Sequence, residues 1–342
     1  MFPSNATAPL ANVIIIAAIL VAALHLMAAL ATPILVAFVL VAVTAPVISG
    51  LERRGLPQRY AILAVAGTVV LIILALTVLV SISLLELQQA LPAYRDVIGQ
   101  QTALIESWLA ARGIDIGLPA LQEPGSGTAF IPTIGAILTE LGVLAAGFLV
   151  LIVAIVFMLG DFPGIAFRIS QALGDTAALT AAFDRFNRRL TTYAAVKAGV
   201  GFITGGGLTV LLLIMGVETP ILWGLLIFLF SFIPFIGLPI ASVPPAGVAG
   251  LQYGIWGVAA VLAGVAIIDL AARTLLFPQR IDRICDLSNA VIMLSVFFWT
   301  WVLGVPGLFL AVPLTMFAKM GLESSDETRW MAVLLKPPIT QE

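Results

Sequence analysis

Residues 220–252 read PILWGLLIFLFSFIPFIGLPIASVPPAGVAGLQ, an apolar stretch interrupted at Pro234, Gly237 and Pro239. A helix needs about 20 residues to cross the hydrocarbon core of a bilayer. These 33 residues are too many for one crossing and too few for two, and the break falls near their middle. Residues 288–322 repeat the pattern, with breaks at Gly304, Pro306 and Gly307. Irregular backbone at membrane depth is tolerated only where protein or a water-lined cavity surrounds it, and broken helices are a common way for carriers to build such a cavity. Two segments of this kind predict a transporter.

Composition points the same way. Over 342 residues the chain is 61% hydrophobic and 10% charged, with a mean hydropathy of +1.15. That balance predicts an all-α polytopic membrane protein. The formal charge of −2 carries little, because placement of charge along a membrane chain matters more than its sum. A single cysteine, Cys285, excludes an internal disulfide and a cysteine-based metal cluster, and a single His25 leaves no material for a zinc site. Gly205-Gly206-Gly207 lacks the Lys-Ser/Thr of a phosphate-binding loop and reads as close helix packing. No enzyme, metal site, cofactor or nucleic-acid partner is expected. A coupling H⁺ or Na⁺, a small polar solute and membrane lipid are.

Along the chain, crossings are expected at 10–31, 33–50, 60–85, 131–159, 191–216 and 254–276. Ala29-Leu30-Ala31 resembles a signal cleavage site, but no Lys or Arg precedes the apolar run, so a retained helix is expected. Thr32-Pro33 predicts a tight hairpin that makes the first two helices antiparallel neighbours. Residues 1–85 therefore form an N-terminal helical block. Segment 86–130 is an extracytoplasmic amphipathic helix and loop, 131–159 a crossing and 160–190 a cytoplasmic segment. Residues 191–322 make a transport core, and 323–342 a cytoplasmic tail. Basic residues set the orientation: of 16, only Arg95 and Arg112 fall within 86–130. Cytoplasmic loops gather Lys and Arg, which puts 86–130 outside and both termini inside.

Parity then constrains the broken segments. A helix ending outside near Glu218 and one ending inside near Arg280 force 220–252 to enter and leave on the outer side. The same reasoning sends 288–322 in and out on the inner side. The expected architecture is about six full transmembrane helices plus two oppositely oriented re-entrant hairpins. Two full crossings per segment satisfy the same parity, but each would have only about 16 residues, short even for a thin bilayer.

Charges placed within crossings mark the candidate coupling groups, because each costs a few kcal/mol there unless paired or hydrated. Asp269 and Arg273 stand four residues apart on one helix face, which suits either a self-neutralising structural pair or a proton or cation carrier. Glu140 is either protonatable or turned to an outer vestibule. Lys197 is expected to snorkel, and His25 to form an interhelical hydrogen bond. Trp299 and Trp301 read as interface anchors or cavity walls.

Four blocks carry a family resemblance: YAAVKAGVGFITGG (193–206), ILWGLLIFLFSFIPFIG (221–237), IASVPPAGVAGLQ (240–252) and SVFFWTWVLGVPGLFLAVPLTMFAKMGLE (295–323). With LVAFVLVAVTAPVISGLERRGLPQRYAIL (35–63) they resemble the autoinducer-2 exporter (AI-2E) family over nearly the whole chain. The resemblance implies a bacterial inner-membrane secondary transporter. Members are linked to export of the quorum signal autoinducer-2 or to Na⁺(Li⁺)/H⁺ antiport, and are thought to form homo-oligomers, with a pentamer the number considered. Where related hairpin tips are commonly Asn-rich, this chain has Ser231 and Phe235, and Asp269, Arg273 and Asn289 read as replacement polar groups. The expected site is the two tips, Ser231, Pro234, Phe235, Gly237 and Pro239 with Gly304, Pro306 and Gly307, joined near mid-membrane around a cavity. A passive channel and a non-transporting scaffold share much of this pattern and stay open.

Overall fold

The computed structural model describes residues 7–90, 155, 158, 176–276, 284–323 and 328–337. All regular structure among them is helical. In chain order the helices are α1 (Thr7–Leu26), α2 (Ala28–Arg53), α3 (Gln58–Ala90), α4 (Thr176–Met215), α5 (Pro220–Phe230), α6 (Gly237–Tyr253), α7 (Ile255–Ala271), α8 (Asn289–Leu303), α9 (Val305–Glu323) and α10 (Arg329–Leu334). A π-helical turn, Ala272–Leu276, continues α7. Among the described residues, five segments are long and apolar enough to cross a membrane: Ala28–Arg53, Gln58–Leu79, Ala181–Met215, Ile255–Leu275 and Val305–Glu323. Large apolar side chains such as Leu71, Ile214, Trp256 and Leu275 stand exposed. A water-soluble surface does not carry apolar residues at this density. The chain is a multi-pass helical membrane protein.

The expected hairpin at Thr32-Pro33 does not form there. The interruption lies at Met27, whose N–H donates to Ala23 O at 2.9 Å while Ala31 N–H donates to Met27 O at 2.8 Å. These bonds end on Met27 and none passes it, so the i→i−4 ladder is interrupted there, five residues before the expected turn. Pro33 sits inside α2, where it removes one donor without ending the helix. Residues 176–190 of the expected cytoplasmic segment are continuous with the expected crossing in α4, a single helix of 40 residues, about 60 Å long at 1.5 Å per residue. Segment 86–112 beyond residue 90, nearly all of the crossing at 131–159, and Glu140 lie outside the described residues.

The chain divides into two compact units: Met1–Gly67, Leu149–Ala195 and Gln279–Glu342 in the first, Thr68–Phe148 and Val196–Pro278 in the second. In the second unit, α5 runs back along the C-terminal half of α4. Glycines allow the approach: a Cβ on Gly205 would lie 2.3 Å from Gly224 O, and one on Gly224 would lie 1.8 Å from the Thr209 hydroxyl oxygen. Gly205 thus packs closely, as the triple-glycine reading expects, and so does Gly207, against Ile268, while Gly206 meets nothing. The core here is Leu208, Leu212, Trp223, Ile227, Val261 and Val265 with their neighbours. A turn at Gly254 (φ 64°) joins α6 to α7, and Tyr253 donates its hydroxyl to the carbonyl of Met215. The start of α5 and the end of α6 therefore lie at the same end of α4.

In the first unit, Gly304 (φ 71°) joins α8 to α9. Val302, Leu303, Leu310 and Leu314 of this hairpin pack on Val21 and Leu24 of α1 and on Leu35, Val36 and Val39 of α2. Phe317 meets both Phe38 and Phe186 edge-on, at 5.1 and 5.6 Å between centroids. The base is tied to the C-terminal segment, where Ser288 N–H donates to Leu335 O at 2.9 Å.

Candidate functional site

The first broken segment turns between Ser231 and Ile236. Ser231 N–H still donates to Ile227 O, and Ile233 N–H to Phe230 O, each at 2.9 Å. At Phe235 the backbone becomes left-handed (φ 62°), which is costly for a bulky residue. A continuing helix would satisfy the Ser231 carbonyl from the Phe235 N–H. Instead the Lys197 ammonium donates to it at 2.8 Å, from a side chain buried to 3% exposure. The snorkelling expected for Lys197 is therefore wrong: the carbonyl end of α5, where the helix dipole is negative, draws the cation inward. Gly237 opens α6, and a Cβ there would sit 2.0 Å from Phe230 O. Pro234 is buried, Pro239 lies exposed in the first turn of α6, and Phe235 is 54% exposed.

The second segment turns in a single residue. Gly304 is exposed, Pro306 is the second residue of α9, and a Cβ on Gly307 would lie 2.0 Å from Trp299 O. Trp299 donates its indole N–H to the Thr315 hydroxyl at 3.0 Å, which ties α8 to α9. Trp301 is 61% exposed, with the His25 ring stacked on it at 4.9 Å. His25 Nδ1 lies 3.3 Å from Val302 O, the interhelical hydrogen bond expected of it.

Arm lengths differ between the hairpins. The 11 residues of α5 extend about 17 Å, roughly half the ~30 Å hydrocarbon core. The arms of the second hairpin have 15 and 19 residues, about 22 and 28 Å. The other arm of the first hairpin, α6, has 17 residues, about 26 Å, so α5 alone is clearly too short to cross.

Of the coupling candidates, Asp269 and Arg273 form the expected i,i+4 pair at 2.7 Å, with Arg273 in the π turn. Only Oδ2 is used. Oδ1 of Asp269 is buried and has no hydrogen-bond partner among the described residues. Asn289 is the first residue of α8 and exposed, so it lies at the base of its hairpin and not at the tip.

The residues reveal one constellation that sequence reasoning missed. At the base of the second hairpin, Asp286 accepts from Lys319 Nζ at 2.8 Å and from Arg189 at 3.3 Å. The Lys319 side chain is only 3% exposed. Burial opposes ionisation of Asp286, but the Lys319 hydrogen bond and charge, with Arg189 and Lys336, outweigh it and hold the carboxyl below its ordinary value. A lowered carboxyl contributes stability that is present at neutral pH and lost as pH falls below about 4. Asp286→Ala should be the harsher of two changes, because it leaves the buried ammonium with the residue-286 backbone carbonyl but no close carboxylate, at a cost on the order of 3 kcal/mol. Lys319→Met leaves Asp286 partly hydrated and still paired with Arg189. Melting temperatures in detergent at pH 7 should follow that order.

A helical membrane protein with a glycine-packed broken helix and a cation on its turn has the build of a carrier. A model of the AI-2E family transporter matches residues 14–325. The chain belongs to the AI-2E transporter family. The AI-2 transport protein TqsA of Escherichia coli K12 is 29% identical over 320 residues, covering 93% of this chain and 92% of TqsA. A Haemophilus influenzae relative is 29% identical over 93% of both chains, and YhhT of Escherichia coli K12 is 27% identical over 93% and 91%.

Proposed function

We propose that this family member is a secondary transporter of the bacterial inner membrane. It moves a small polar solute, of the kind that the name of TqsA assigns to that relative, by alternating access. The observation that carries this reading is the α5–α6 hairpin. It begins and ends at one end of α4 and has an arm too short to cross. On this reading its turn stands partway through the bilayer, where backbone outside a regular helix is tolerated only beside protein or water, so it borders the path for solute. Lys197 supplies a positive charge beside that turn, suited to an anionic or hydroxylated solute. The basic residues of the α2–α3 loop and the tail argue for a cytoplasmic C-terminus, and the chain works as a homo-oligomer.

The vacant Oδ1 of Asp269 favours coupling to H⁺ or Na⁺ through that carboxylate, and on the same ground keeps Na⁺(Li⁺)/H⁺ antiport as a second reading. Glu140 is the other carboxylate available for coupling. Flux of a small-metabolite panel into proteoliposomes under imposed proton and sodium gradients tests both. Asp269→Asn should lose gradient-driven accumulation while expression and solute exchange persist. Full accumulation in that variant removes Asp269 from the coupling role, and ohmic single-channel currents in planar bilayers would make the protein a channel instead.

A further inference from the structure

At the base of the second hairpin a cavity of about 50 Å³ opens between α4 and α9, and solute movement gives it no task. Arg185, Phe186 and Arg189 form one wall, Met316, Lys319 and Glu323 the other. Arg185 and Arg189 stand one helical turn apart, so their guanidinium groups share a face. Arg189 and Lys319 are engaged by Asp286. Arg185 makes no ion pair or hydrogen bond with the described residues. Glu323 stands 3.8 Å from Lys319, too far for a good hydrogen bond and easily displaced. Among the described residues, three cations therefore meet two carboxylates, and the Arg185 fork of donors is unused.

We propose that this cavity binds a phosphate group. Arg185 and Arg189 grip two of its oxygens through their planar forks, and Lys319 supplies a point charge behind a third once Glu323 swings away. A compact oxyanion matches the volume, and whatever carries the phosphate stays outside the rim. Free inorganic phosphate and a phospholipid headgroup share this chemistry, and basic pockets beside membrane helices commonly take headgroups. Because Lys319 and Arg189 also hold Asp286, occupation of the cavity bears on the clamp at the hairpin base. The site stands apart from the transport reading, since it is assayed without flux.

Thermal unfolding of the purified protein in a phosphate-free detergent tests it in two arms. One adds inorganic phosphate against chloride at equal ionic strength. The other adds short-chain phosphatidic acid against the diacylglycerol with the same chains. Ligand that binds only the folded state raises the melting temperature. A rise of several degrees over the control is expected in at least one arm. Arg185→Ala, a change at an exposed side chain, should need about tenfold more ligand for the same rise, the worth of one charge-assisted pair. Glu323→Gln should need less. A response to inorganic phosphate identifies a soluble anion, and a response to phosphatidic acid alone identifies a headgroup. No rise over the control in both arms, or an unchanged rise in Arg185→Ala, overturns the site.

Discussion

Gly237→Leu is expected to cut solute flux in proteoliposomes at least tenfold while leaving a chain that still inserts and elutes as a discrete oligomer. Even the first carbon of a side chain would lie 2.0 Å from Phe230 O and 2.9 Å from Ile233 Cβ. Neither neighbour is a flexible chain end, so the backbone of the turn must open. Overpacking of a tight site costs about 1–3 kcal/mol, and here the strain lands on the turn that lines the solute path. Gly237→Ala should show a smaller loss in the same direction. Gly206 supplies the contrast: a Cβ there meets nothing within 4 Å, and Gly206→Ala should transport like the native chain. Equal flux in Gly237→Leu and Gly206→Ala would show that the turn takes no part in transport.

Lys197→Met should have the next largest effect. It keeps most of the buried volume but takes the ammonium from the Ser231 carbonyl. A hydrogen bond to a charged group is worth about 1.5–3 kcal/mol, and a buried carbonyl left unsatisfied loses a similar amount. The turn should loosen, so a cysteine placed at Phe235 should react faster with a membrane-permeant maleimide in the Lys197→Met background. Flux should fall about tenfold or more, and Lys197→Arg should recover part of it because the cation remains. Native flux and an unchanged labelling rate in Lys197→Met would mean that the ammonium is only a packing element.

The division between what sequence revealed and what it hid follows the range of the forces involved. Pro234 and Gly237 announced the first break because they act on their own backbone, and the helix ladder stops where those residues leave it no regular path. Family membership was equally legible, carried by contiguous blocks such as residues 221–237. The Thr32-Pro33 hairpin failed for a related reason. Proline marks where a helix is allowed to stop, and α2 continued because its apolar faces had neighbours to pack on. Lys197 was misjudged and Lys319 passed over because a cation's resting place depends on partners 34 and 33 residues away. No local pattern announces those partners. The intervals of Gly201, Gly205 and Thr209 along α4 did contain a signal, a small-residue face at four-residue spacing. Its counterpart, Gly224, became apparent only once α5 was folded back against it.

The sequence holds three lysines, and the side chains of Lys197 and Lys319 are buried while Lys336 is exposed. Acylating reagents aimed at lysine therefore find a single ready target, near the end of the chain. The other two amines are protected only while carbonyl and carboxylate oxygens hold them. Their acylation, resolved by peptide mass, is thus a built-in footprint of the two clamps letting go.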